Sequence, residues 1–225
     1  MPDTLVRAVS MERAYGVGSA QVKALTDATF SVEAADTVAL LGPSGSGKST
    51  LLHLIAGLDV PTSGSIEWPA LGSREDLRPG RVGVAFQGPS LLPPLTVVEN
   101  VALPMILAGA DEDRATAAAR DLLHVFEVDT VANKLPEELS GGQSERAGIA
   151  RAFSGSPRLV LADEPTGQQD RATGGRLLEA IVTVAVLGGA ALVVATHDAA
   201  IGERLAARWV MRDGALRTEE LTCSS

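Results

Sequence analysis

Val38-Ala39-Leu40-Leu41-Gly42-Pro43-Ser44-Gly45-Ser46-Gly47-Lys48-Ser49 is the stretch that decides the fold. Its first four residues are a short apolar run of the kind that forms a buried strand. Gly42 through Ser49 then fit G-x-x-x-x-G-K-[ST] in full, and Leu51, Leu52, Leu54 and Ile55 can line one face of a helix opened by Lys48. Strand, glycine-rich turn and helix in that order make a phosphate cradle. The glycines let the backbone curl so that successive N–H groups point inward, and the helix adds its positive end. Lys48 would reach the β- and γ-phosphates of a nucleotide, and the Ser49 hydroxyl would ligate Mg²⁺. The competing reading, a Gly/Ser-rich turn that happens to contain a lysine, is disfavoured by the strand before it and the helix after it.

Working outward, further apolar runs occur at Arg81–Phe86, Leu159–Ala162 and Ala191–Ala195, each bounded by glycine or polar residues. The last two flank a helix-like stretch, Arg171–Leu187. Strand–helix–strand alternation implies parallel pairing in an α/β sheet covered on both faces. Between Gly88 and Pro157 the character changes. Glu99–Ala108, Asp111–Glu127 and Ser140–Ser154 all read as helical, so the block suits a helical insertion. Leu5–Glu33 carries alternating β-like segments that suggest an accessory antiparallel sheet, and Thr218–Ser225 reads as a polar, poorly anchored tail. The expected organisation is one domain over 1–225, with a core at 1–87 and 157–225 and a helical subdomain at 88–156.

The chain has 225 residues, 45% hydrophobic and 21% charged, which argues against wholesale disorder. Aromatics are only 3%, so Ala, Val, Leu and Ile must build the core. The 19 basic and 28 acidic residues leave a formal charge of −9, which argues against a nucleic-acid-coating surface. A lone cysteine, Cys223, excludes an internal disulfide scaffold or a cysteine metal cluster. The N-terminal stretch lacks the apolar core of a secretory signal. Ala180–Ala195 is the nearest approach to a membrane span, but it is shorter than the roughly 18–20 residues required and Gly188-Gly189 divides it. A soluble, cytoplasmic protein is expected.

A phosphate cradle needs a carboxylate at the end of a neighbouring strand. Leu159-Val160-Leu161-Ala162 is followed by Asp163 and Glu164, placing both at the carboxyl edge where open α/β sheets bind ligands. Asp163 would hold Mg²⁺, and Glu164 would polarise a water in line with the γ-phosphate. Leu139-Ser140-Gly141-Gly142-Gln143 contains a capping box, Ser140-x-x-Gln143. Two glycines in a first helical turn cost roughly 1 kcal/mol each against alanine, which capping alone does not justify. Bare glycines would instead let an anion approach the N–H groups. The chain thus offers two anion-receptive helix starts, where one nucleotide on one monomer needs a single such start.

The phosphate loop, Gln87, LSGGQ, the LVLADE strand end and His197 occur in the order found in ATP-binding cassette (ABC) ATPases, which the chain resembles from Tyr15 to Leu216. GLDVPTSGSI (Gly57–Ile66), LLPPLTVVENVALPM (Leu91–Met105) and ADEPTG (Ala162–Gly167) look most like the stand-alone subunits of the lipoprotein-release and macrolide-export type. The resemblance implies a RecA-like phosphate-loop NTPase core with a mostly parallel sheet, an N-terminal antiparallel β-subdomain and an inserted helical subdomain. It also implies a head-to-tail homodimer. ATP held by Gly42, Pro43, Ser44, Gly45, Ser46, Gly47, Lys48, Ser49 and Thr50 of one subunit would be closed by Ser140, Gly141, Gly142 and Gln143 of the other. Tyr15 would stack on adenine. Gln87 would join Ser49 and Asp163 around Mg²⁺ and sense the attacking water, His197 would contact the γ-phosphate, and Asp170 would lie in a loop facing the partner subunit. Lys48, Gln87, Glu164 and His197 would carry catalysis, while His53 and His124 read as surface or packing residues.

With no span of its own, such a subunit needs an integral-membrane permease and would sit on the inner face of the membrane through it. The expected activity is ATP hydrolysis driving export or lipid and lipoprotein extraction. A regulatory ATPase of the cell-division type, signalling to a membrane partner without transport, has the same motifs. A soluble cassette for DNA repair or translation is disfavoured by the single short cassette and the acidic charge. Three features depart from close relatives. Gly167-Gln168-Gln169 replaces Gly-Asn-Leu, which would alter packing of that loop across the dimer. Ser144-Glu145 follows LSGGQ, with Gly148 weakening the same helix, and the stretch between Ile66 and Arg81 is short.

Overall fold

A computed structural model describes residues 3–88, 90–167 and 169–220. In chain order the elements are β1 (Thr4–Tyr15), β2 (Val22–Glu33), β3 (Thr37–Leu41), α1 (Lys48–Ile55), β4 (Ser63–Glu67), β5 (Val82–Ala85), α2 (Val97–Leu107), α3 (Glu112–Val125), α4 (Gly141–Phe153), β6 (Leu159–Asp163), α5 (Arg171–Gly188), β7 (Ala191–Thr196), α6 (Ala199–Gly202), β8 (Ala207–Arg212) and β9 (Ala215–Glu220). The chain divides into two compact units, Met1–Leu77 with Ala191–Ser225, and Arg78–Ala190.

In the first unit the strands run β4-β1-β2-β9-β8-β3-β7. β1 and β2 are antiparallel, pairing Thr4 with Glu33 and Tyr15 with Val22, and β4 joins β1 antiparallel. Buried and exposed residues alternate from Ala28 to Val32 of β2, as a sheet with one wet face requires, while shifts of register interrupt that period along β1. β3 is different. It lies between parallel neighbours, β7 and β8, and its Val38, Ala39 and Leu40 are all buried. Leu51, Leu52, Leu54 and Ile55 of α1 are buried as well, which is the face the sequence predicts. Trp68, after β4, donates its indole N–H to the Ile55 carbonyl at 2.8 Å, so the short segment beyond Ile66 folds back onto the end of α1. Thr218, Glu219 and Glu220, expected in a loose tail, are the end of β9 and pair with Trp209, Arg208 and Ala207 of β8. Cys223 lies outside the described residues.

In the second unit β5 and β6 are parallel, with Ala85 opposite Ala162. The helices α2, α3 and α4 pack on one another, and α4 also packs on β5. Gly83 permits that last contact, because a Cβ there would strike the Ala152 carbonyl. Gly148 does not break α4. It is buried, and an added Cβ would come to 3.4 Å from Ser90 Oγ. Asn100, fully buried on α2, accepts from Leu92 N–H at 2.7 Å and donates to the Leu92, Leu95 and Thr96 carbonyls. It pins the turn that leads into the helices. Among the described residues no helix is long and apolar enough to cross a membrane.

Candidate nucleotide site

The loop between β3 and α1 turns through left-handed backbone at Gly45 (φ 78°) and Gly47 (φ 105°), which glycine adopts without steric cost. Its back rests on β8 and β2: a Cβ on Gly42 would hit the Met211 carbonyl, and one on Gly47 the Ala24 carbonyl. The cap of α1 is Gly47, which has no side chain with which to bond the first-turn N–H groups. A helix start without a side-chain cap is open to an anion. Ser46 is buried, and its hydroxyl has no hydrogen-bond partner among the described residues. Lys48 is buried too, and its Nζ donates to the Gly42 and Pro43 carbonyls at 2.8 and 3.1 Å. A cation folded onto its own loop, an orphan hydroxyl and an uncapped helix start together fit a polyphosphate.

His197 leaves the same sheet edge as this loop. Leu41 and Thr196 are register partners at the ends of β3 and β7, and Gly42 N–H donates to the Thr196 carbonyl at 3.3 Å. Tyr15 ends β1, half exposed, and its hydroxyl donates to Asp59 Oδ2 at 2.7 Å. Arg13 makes a two-point contact with the same carboxylate, both at 2.8 Å, and its guanidinium lies 4.4 Å from the centre of the Tyr15 ring. Burial pushes the Asp59 carboxyl up, but the bonds from Tyr15, Val60 N–H and Arg13 outweigh it and hold it below its ordinary range. The tyrosine is therefore clamped in orientation with a cation on one ring face. No local sequence pattern announced Arg13 or Asp59, because their pairing joins the end of β1 to the loop between α1 and β4.

In the second unit the paired ends of β5 and β6 bring Gln87 and Asp163-Glu164 out at one edge. Asp163 is buried at the last position of β6. Glu164 sits in left-handed backbone (φ 49°), and the Gly167 N–H closes a turn onto its carbonyl at 3.1 Å. Holding a glutamate there costs of order 1 kcal/mol or more. The segment beyond Gln87 is tied to α4: Arg151 donates to Ser90 O at 2.8 Å and Ser90 Oγ at 3.0 Å, and burial lowers the guanidinium's pKa. Arg151 is a residue the sequence reading missed, since a helical arginine has no local mark of such a bond.

Ser140 caps α4 as predicted. Its Oγ accepts from Gln143 N–H at 3.3 Å, and Gln143 Oε1 accepts from Ser140 N–H at 2.9 Å. Asp170 caps α5, accepting from the Ala172 and Thr173 N–H groups; its bond with the Thr173 side chain and these amides hold its carboxyl low. Gln169 is half-buried beside the head of α4. Its amide reaches Gly142 and Glu145 of the same chain. His53 is half-buried within α1, and His124 is exposed, 3.8 Å from Asp129. Serine hydroxyl, glutamine carbonyl and aspartate are hard oxygen donors of the kind Mg²⁺ takes.

A phosphate loop on a mixed α/β sheet defines a nucleotide-hydrolysing fold. The ABC transporter family model matches residues 25–167. Two solved structures superpose with a TM-score of 0.89 at 32% identity, covering 97% of this chain and 99% of theirs. One is the dimeric post-hydrolysis state of the ATP-binding cassette MJ0796 bound to ADP and Pi, and the other the dimer of MJ0796 described as a bacterial ABC transporter cassette. The chain belongs to the ABC transporter family, as its ATP-binding, ATP-hydrolysing cassette.

Proposed function

We propose that this cassette works as a homodimer driving export, or extraction of lipid or lipoprotein, through a separate integral-membrane permease, and that it sits on the cytoplasmic face of the membrane through that partner. The observation that carries the reading is the pair of helix starts with different needs. The head of α1 has no side-chain cap and an orphan hydroxyl beside it, whereas the head of α4 is closed by its own Ser140–Gln143 box yet carries two bare glycines. Two different nucleotides, one per start, make sense of both. The likeness to dimeric cassettes supports this assignment.

In the proposed cycle the loop amides and Lys48 hold the β- and γ-phosphates, exchanging the Gly42 and Pro43 carbonyls for the ligand. Tyr15 offers its ring to adenine. Ser49, Gln87 and Asp163 would hold Mg²⁺, which when bound neutralises charge developing on the phosphate oxygens. Glu164 accepts the proton of the attacking water and His197 fixes that water against the γ-phosphate. Ser140 and Gly142 of the partner subunit close the site, and release of phosphate reopens it.

Glu164→Gln tests the scheme. This variant should bind ATP, fail to turn it over, and shift from monomer to dimer in light scattering when Mg·ATP is added. A variant that hydrolyses ATP at the wild-type rate removes Glu164 from its role, and one that stays monomeric removes the sandwich. The membrane protein that co-purifies with the locked dimer separates transport from a regulatory role, by whether it encloses a substrate path.

A further inference from the structure

Two departures from the family pattern, Gln169 and Glu145, meet in the folded chain. The Gln169 side-chain amide donates to Glu145 Oε2 at 3.0 Å and to the Gly142 carbonyl at 3.2 Å. A primary amide has two N–H donors, and each of these bonds accounts for one. The bond to the carboxylate is charge-assisted and therefore the stronger of the two. Both acceptors belong to the first turns of α4, whose cap is Ser140. The residue after Gln169 is Asp170, the cap of α5. One side chain thus joins the heads of two helices. The approach is close enough that a Cβ on Gly142 would lie 2.7 Å from Gln169 Nε2, so the bare glycine serves this contact as well. A leucine at 169 could make neither bond.

We propose that Gln169 is a positioning residue: paired with Glu145, it fastens the Asp170 turn to the head of α4 within one subunit, so that Ser140, Gly142 and Asp170 reach the partner subunit's nucleotide as one piece. This rests on the dimeric reading above. The two departures compensate each other. The coupling that an apolar side chain would leave to packing across the dimer is made here by hydrogen bonds inside the monomer.

The test uses the full chain with Gln169→Ala, Gln169→Leu, Glu145→Ala and the double Gln169→Ala/Glu145→Ala, each also in the Glu164→Gln background. In the nucleotide-free monomer, amide hydrogen exchange over residues 140–145 should accelerate in every variant. Affinity of the monomer for ATP, set by the phosphate loop, should not move. Mg·ATP-driven dimerisation should weaken roughly tenfold in Glu145→Ala, the scale of losing one bond to a charged group, and by at least as much in Gln169→Ala and Gln169→Leu, which also lose the bond to Gly142. The double variant should be no weaker than Gln169→Ala, because the bond to Glu145 is already lost in that single variant. Gln169→Leu keeps the bulk and loses the amide, so wild-type behaviour of this variant would overturn the proposal. Unchanged exchange, or losses that simply add in the double variant, would overturn it too while leaving the dimer reading intact. Failure of the Glu164→Gln parent to dimerise would remove both.

Discussion

Ser46→Ala should make the nucleotide-free protein more stable and the ATP-bound protein less so. The side chain is buried at 4% relative exposure, and its hydroxyl has no hydrogen-bond partner among the described residues. Burying a hydroxyl without a partner costs about 1–3 kcal/mol by mutational measures. Alanine removes that cost and forfeits a little packing, leaving a gain of about 1 kcal/mol. For a chain of this size that raises Tm by roughly 2–4 °C. With ligand the sign turns over. A hydroxyl aimed at a phosphate oxygen contributes about 1.5 kcal/mol, so its loss weakens binding roughly tenfold. At saturating ATP the stabilisation by ligand falls by about 1.4 kcal/mol for each tenfold rise in Kd. Melting curves with and without ATP, on wild type and variant, should therefore cross: the variant higher without nucleotide, level or lower with it. A variant that melts below wild type without ATP would show that the hydroxyl is satisfied in the free protein, and the fit of this loop to phosphate would lose its main support.

Asp59→Asn probes the clamp on Tyr15. A carboxyl held below its unfolded value of 3.8 contributes stability that is complete above that pH and is lost as pH falls through the lower folded value. The stability gap between wild type and Asp59→Asn should thus be constant near neutrality and close as pH drops below 3.8; denaturation at a series of pH values measures it, and a gap that widens in acid contradicts the bonding described. Arg151→Met should cost roughly 2 kcal/mol, the scale of its two bonds to Ser90, and should lower kcat more than it alters ATP affinity. Steady-state kinetics with a binding titration separates the two, and an effect on affinity alone would place Arg151 outside the coupling of Gln87 to α4.

The elements that follow from near neighbours were legible without coordinates. An apolar run, a glycine turn and an amphipathic stretch placed β3, the phosphate loop and α1 to within a residue or two, because each signal acts over a few residues. The same held for β6 with its acidic end, and for the capping box that begins α4. Pairing between distant residues was not legible. Thr218–Glu220 read as a polar tail because polarity says nothing about whether an edge such as β8 is there to be paired. Arg13, Asp59 and Arg151 carry no local mark of the bonds they make, since those partners come together only when strands and helices pack. The clearest case is Gln169. In one dimension it was a polar residue standing where an apolar one was expected. Only the fold, by setting the heads of α4 and α5 side by side, supplied the carboxylate and the carbonyl that give it a purpose.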